Sequence, residues 1–148
     1  MSQDAQASSA AARELMRRGA AALGSLMDGA PYVSLVLTAH EDSGNLLLLL
    51  SDLAQHSRNI AAYSRVSLLF DGTEGLTDRL TGSRLTVMGS AARCDEPEAL
   101  ARYLEQQPSA AGYAAFRDFH LYRIKVERGH LVAGFGRIEW LDGEALRG

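Results

Sequence analysis

The chain has 148 residues, which fits one domain at the usual ~100–200 residues per domain. Its 15 Lys and Arg stand against 18 Asp and Glu, a net charge of −3, so the basic excess of a duplex-binding surface is missing and nucleic acid is not an expected partner. With 47% hydrophobic residues it can fill a core, but one cysteine, Cys94, allows neither an intrachain disulfide nor a thiolate zinc cluster, and the longest apolar run, Leu46 to Leu50, falls far short of the ~20 residues of a membrane-spanning helix.

Residues 1–12 are rich in Ser, Ala and Gln and read as a disordered or frayed end; residues 13–148 read as a single domain. Ser8 or Ser9 can cap a helix running to about Met27, ended by Asp28-Gly29-Ala30-Pro31. Arg17-Arg18 mimics a twin-arginine export signal, but the apolar stretch after it breaks at Gly24-Ser25 and meets Asp28, so a cytoplasmic protein is expected. Tyr32 to Ala39 alternates as a strand with Val33, Leu35 and Leu37 on one face. After the turn Glu41–Asn45, the strand Leu46 to Leu50 is apolar on both faces and is expected to be buried on both.

Leu53 to Tyr63 reads as a helix and Val66 to Phe70 as a third strand. Asp71 to Thr81 is a polar loop, and Arg84 to Ala92 a fourth strand. Asp95-Glu96-Pro97-Glu98 opens a helix that ends near Gln107-Pro108, with a short helical piece around Ala110 to Phe116. Phe119 to Glu127 alternates as a fifth strand, Arg128-Gly129 reads as a turn, and His130 to Ala133 and Gly136 to Leu141 complete the sheet. Short loops between neighbouring strands imply antiparallel pairing. The expected fold is mostly β with flanking helices: a six-stranded antiparallel split β-barrel of Greek-key type.

One segment concentrates polar chemistry. Leu50-Ser51-Asp52-Leu53-Ala54-Gln55-His56-Ser57-Arg58-Asn59 runs from the end of a buried strand directly into a helix. Helix N-termini present free N–H groups and a partial positive charge, which suits phosphate, although any solvated strand-to-helix junction has the same ingredients. The four histidines, His40, His56, His120 and His130, form no HExxH or similar ligand pattern, so no metal site is expected. Gly134-Phe135-Gly136 lacks the rest of a dinucleotide fingerprint. Cys94 and Ser51 lack a neighbouring base, so neither reads as a nucleophile, and no catalytic residue is assigned.

Pro31-Tyr32-Val33-Ser34, the run Leu48 to Ile60, and Val66-Ser67-Leu68-Leu69-Phe70 together resemble the FMN-binding split-barrel, or pyridoxamine 5′-phosphate oxidase-like, superfamily. Arg84-Leu85-Thr86-Val87-Met88-Gly89 is similar to a strand of that family, and His130 to Arg137 resembles the closing motif of its haem-utilisation branch. The resemblance implies a homodimer with FMN in clefts at the interface. It places Ser34 and Val36 beside the flavin, and Ser51, Gln55, His56, Ser57 and Arg58 around the phosphate. Arg84 would approach the ring, with Phe135 and Arg137 on a closing segment. His56 and Ser57 stand where the oxidase carries an Arg-Lys pair, and the oxidase's substrate-binding residues are not visible, so pyridoxamine phosphate oxidation is not expected. The chain stops at Gly148, where haem-degrading relatives carry a further C-terminal domain; that domain is expected to be absent. Three readings stay open: an FMN-dependent oxidoreductase of unread substrate, a haem-binding module with His130 or His120 as the ligand, and a barrel without cofactor.

Overall fold

A computed structural model describes residues 2–147. Helix α1 (Gln3–Met16) leads into β1 (Ala20–Met27), β2 (Ala30–Leu37), β3 (Ala39–His40) and β4 (Leu46–Ser51); α2 (Gln55–Ala62) is followed by β5 (Arg65–Asp71) and β6 (Ser83–Arg93); α3 (Pro97–Gln106) precedes β7 (Phe119–Ala133) and β8 (Ile138–Asp142). All eight strands join one antiparallel sheet in the order β2-β1-β5-β6-β7-β4-β3, with β8 on β7. The architecture is mostly β with flanking helices, as expected; the strand count is eight rather than six. No described helix is long and apolar enough to cross a membrane.

The end of the sheet order explains its curvature. β2 lies at one edge and β3 at the other, yet only Thr38 separates them in the chain. Two edges joined by one residue must meet in space, so the sheet curls on itself. Helix α3 holds the seam. Gln106 accepts from the His40 N–H and donates to the His40 carbonyl, both at 2.9 Å, as a neighbouring strand would. Gln107 Nε2 donates to the carbonyls of Gly19 (2.8 Å) and Thr38 (2.9 Å). Gln106→Leu therefore strands both polar groups of an edge residue, and a loss of about 1–3 kcal/mol is expected. Urea unfolding checks it: the midpoint should fall while the slope stays constant.

Three expectations change. Residues 1–12 are not a frayed end: Met1 lies outside the described residues, but the helix starts at Gln3, its Ser2 cap accepts from the Ala5 N–H, and Ser8, Ser9 and Ala12 are buried beneath it. That helix ends at Met16 instead of continuing to Met27, because Gly19 takes φ +84° and Ala20–Met27 becomes β1, burying alternate residues Ala21, Leu23 and Ser25. Asp28 (φ 52°) and Gly29 (φ 83°) are then the two-residue turn of the β1–β2 hairpin, with positive φ at both central positions. Finally, β7 runs unbroken through Arg128-Gly129. Glu127 is an extra residue opposite the Met88/Gly89 step of β6, and a Cβ on Gly89 would sit 2.2 Å from the Lys125 carbonyl, so glycine lets the bulged strands approach.

The core fills the barrel with Leu23, Leu46, Leu48, Leu50, Leu68, Phe70, Val87 and Ile124, while Leu47, Leu49, Leu121 and Tyr103 form a second cluster under α3. β4 is thus buried on both faces, as its unbroken leucines require.

The inward face of β2 carries Tyr32, Ser34 and Val36, not Val33, Leu35 and Leu37. Val33 is 68% and Leu35 77% exposed. Cross-strand pairing puts Leu35, Ala22, Leu69, Thr86, His130 and Trp140 in one row across the outside of β2, β1, β5, β6, β7 and β8. Leu69, Ile138 and Trp140 are also exposed on that outer surface.

Candidate functional site

The β4–α2 junction forms because the leucine run ends at Ser51 and the chain turns at once into a helix. The Ala54 N–H donates to the Ser51 carbonyl (3.1 Å), and the Leu53 N–H to Ser51 Oγ (3.1 Å). No side chain caps α2, and among the described residues the N–H groups of Gln55 and His56 find no backbone acceptor. The junction thus retains open donors at the positive end of a helix dipole.

The side chains expected there divide between internal and open roles. Ser51 Oγ donates to Asp118 Oδ2 at 2.6 Å, and Ser57 Oγ to the Ser51 carbonyl at 2.6 Å, so both hydroxyls hold the junction together. Gln55 Nε2 donates to Asn59 Oδ1 (2.8 Å), and Asn59 Nδ2 to Ser25 Oγ (3.1 Å), which fastens α2 to β1. Ser34 Oγ lies 3.1 Å from His56 Nδ1, tying α2 to β2 and leaving the ring's other nitrogen for a ligand. Val36 is buried in the barrel core at 5% exposure, beneath the strand rather than at its surface. Arg58 lies on the opposite flank of α2, beside Ala91, Ala92 and Arg93.

Burial lowers the His56 pKa from its ordinary 6.5, so the ring is neutral near pH 7. His40, on β3, is also lowered, first by burial and then by Arg17 and Arg102. For both rings the folded state binds the proton less tightly than the unfolded chain. Their stabilising contribution is complete above the unfolded value of 6.5 and is lost as the pH falls through the lowered folded values. Denaturation midpoints should drop on acidification from about pH 7.5 to about 5.5, and less so in His56→Gln.

The remaining expected residues lie elsewhere. Arg84 stands on the outer face of β6, its guanidinium donating to the carbonyls of Leu80 (3.0 Å) and Gly82 (3.3 Å). Phe135 and Arg137 are exposed in the turn between β7 and β8. Within one chain β1 and β5 intervene between these residues and Ser34. His120 Nε2 lies 2.9 Å from Asp52 Oδ2, whose other oxygen accepts from Arg93 (2.9 Å). His130 stacks on Trp140 with centroids 4.3 Å apart and 29° between planes, and Arg128 lies 4.7 Å from the same indole's centroid. Among the described residues no three His, Cys, Asp or Glu side chains converge on a metal site.

Sequence reasoning missed Asp118 and Arg93, and gave Asp52 no role although it lies in the polar segment. Asp118 reaches Ser51 only because β7 pairs with β4, with Phe119 opposite Ser51, across 67 residues. No local motif signals that contact.

No curated protein of described function matches the sequence. One solved structure is 32% identical and covers 97% of both chains with a TM-score of 0.87. A haem-binding protein from Mycobacterium smegmatis is 30% identical over 92% of this chain, with a TM-score of 0.82; this chain spans 60% of that protein's length. HutZ, described as the haem storage protein of Vibrio cholerae, is 26% identical over 84% of this chain and 93% of its own, with a TM-score of 0.69. The family model described as pyridoxamine 5′-phosphate oxidase matches residues 8–133. An antiparallel sheet curled at Thr38, a helix starting directly at the end of a buried strand, and this match over most of the sequence agree: the chain belongs to the pyridoxamine 5′-phosphate oxidase family.

Proposed function

We propose that the protein is a homodimeric FMN-binding oxidoreductase whose phosphate seat is the start of α2. The observation that carries this reading is the pair of open N–H groups at Gln55 and His56, beside a ring that Ser34 orients. A phosphate there would receive backbone hydrogen bonds and the helix dipole without a fixed cation on that flank. Asp118 and Asp52 near Ser51 oppose a dianion, so the seat fits the group with reduced charge assistance. When bound, the flavin supplies the redox chemistry; the protein's own part is to bind and orient it and to exclude water.

The second copy is proposed from the outer face. Val33, Leu35, Leu69, Ile138 and Trp140 are large apolar side chains exposed on this one face, a feature that marks interaction surfaces. Two such faces brought together would bring Arg84, Phe135 and Arg137 of one copy toward the α2 seat of the other. FMN titration tests the reading. Saturable quenching of flavin fluorescence at about one FMN per chain is the expected result; absence of saturation removes it.

Haem is a second reading, favoured by the stack of half-buried His130 on exposed Trp140 and by the haem-binding protein that is 30% identical. If haem binds there, His130 would be the side chain that holds its iron, beside the exposed Trp140. A saturable Soret shift with hemin that His130→Ala abolishes supports it, and a shift unaffected by that substitution overturns it.

A further inference from the structure

We propose that the cleft on the far flank of α2, between that helix and the paired ends of β6 and β7, is a second ligand site that takes a small monocarboxylate with an apolar body. The cleft is open to solvent, holds about 280 Å³, and is lined by Asp52, Arg58, Ile60, Ala91, Arg93 and Tyr122 among others. That volume is at the small end of ligand pockets, which run from about 300 Å³ upward, and suits a single ring or a short aliphatic chain.

Its charge selects the ligand. Two guanidinium groups face the cleft, and arginine does not lose its proton in proteins. Asp52 answers one of them: its carboxylate accepts from Arg93 at 2.9 Å and meets His120 at 2.9 Å. The Arg58 side chain makes no hydrogen bond or ion pair with any described residue. Asp95 also acts on Arg93, so Arg58 is the guanidinium of this cleft left without a carboxylate partner, and a monoanion matches its single charge. A phosphate dianion would overshoot that balance and face the Asp52 carboxylate. Ile60 and Ala91 are buried at the base, and the Tyr122 ring lies 5.9 Å beneath the Arg93 guanidinium carbon. A ligand's apolar body can lie on these groups while its carboxylate meets the Arg58 fork in the two-pronged geometry that guanidinium favours.

The site does not depend on the flavin reading. Helix α2 turns Gln55, His56 and Asn59 toward β1 and β2, and Arg58 toward β6 and β7, so the two seats lie on opposite flanks of one helix.

Benzoate serves as the probe, followed by NMR on isotope-labelled full-length protein. The expected result is saturable shifts at the Ala91 and Ala92 amides and at the Arg58 and Arg93 Nε–H groups. Benzamide, of the same shape without charge, should bind at least about ten-fold more weakly, as should benzoate to Arg58→Gln. The thermal midpoint of that variant should match the parent, since Arg58 has no internal partner to lose. Inorganic phosphate should bind more weakly than benzoate. Absence of saturable shifts, equal binding of benzamide or of phosphate, shifts confined to Ser34 and His56, or unchanged benzoate affinity in Arg58→Gln would each overturn the assignment.

Discussion

Leu35→Glu should split the proposed dimer into monomers while each subunit keeps its fold. Leu35 is 77% exposed in the single chain, so a carboxylate there meets water and costs the subunit little. In the proposed dimer the same position opens the row formed with Ala22, Leu69 and Thr86, at the β2 edge of the face. A charge buried there without a partner costs several kcal/mol, comparable to the effect of truncating a strong interface residue. Stable interfaces bury about 800 Å² per partner, so the proposed contact has to extend over several of the strands in this sheet. Sedimentation at micromolar concentration should give the mass of one chain for the variant and of two for the parent, with matching far-UV spectra. FMN binding should fall with the dimer, because Arg84, Phe135 and Arg137 would reach the α2 seat only from the other copy. A parent that is monomeric, or a variant that remains dimeric, refutes the interface.

The face that Leu35 occupies also shows what a single sequence can convey. Alternation placed β2 correctly, because the side-chain period of a strand is 2 whichever side is buried. It could not say which side faces inward: the more apolar set, Val33, Leu35 and Leu37, points out, and Tyr32, Ser34 and Val36 point in. An apolar face that points outward looks like core in the sequence. β1 was hidden for a different reason. Ala-Ala-Ala-Leu has high helix propensity, and only the pairing of Leu23 with Ser34 and Leu68 decides in favour of a strand. Asp28-Gly29 was the available signal, since that dipeptide between apolar runs marks a hairpin at least as strongly as a helix stop. The α2 junction was legible because strand end, helix start and polar side chains fall in one continuous stretch. Ser51–Asp118 and Asp52–Arg93 were not, because those contacts depend on the β4–β7 and β6–β7 registers.

His56→Lys should tighten FMN binding at pH 7 by about ten-fold or more, the scale of a charge-assisted hydrogen bond of ~1.5–3 kcal/mol. The native ring is neutral there, because burial lowers its pKa, and its Nδ1 is engaged with Ser34 at 3.1 Å. It can therefore give a phosphate one neutral hydrogen bond through its other nitrogen. A lysine at the same position on α2 would add a fixed positive charge to the dipole and to the open Gln55 N–H. The lysine stem is flexible and the position is only partly buried, so its ammonium can remain near water in the free protein. Loss of the Ser34 contact should cost the free protein about 1 kcal/mol, which urea unfolding would report separately from affinity. The gain should also shrink as salt is raised, since the added attraction between ammonium and phosphate is screened while the neutral hydrogen bonds it supplements are not. An affinity that is unchanged or weaker, with the fold intact, would mean that the phosphate does not sit at the start of α2, and the proposed seat would have to be abandoned even if the protein proves to bind flavin.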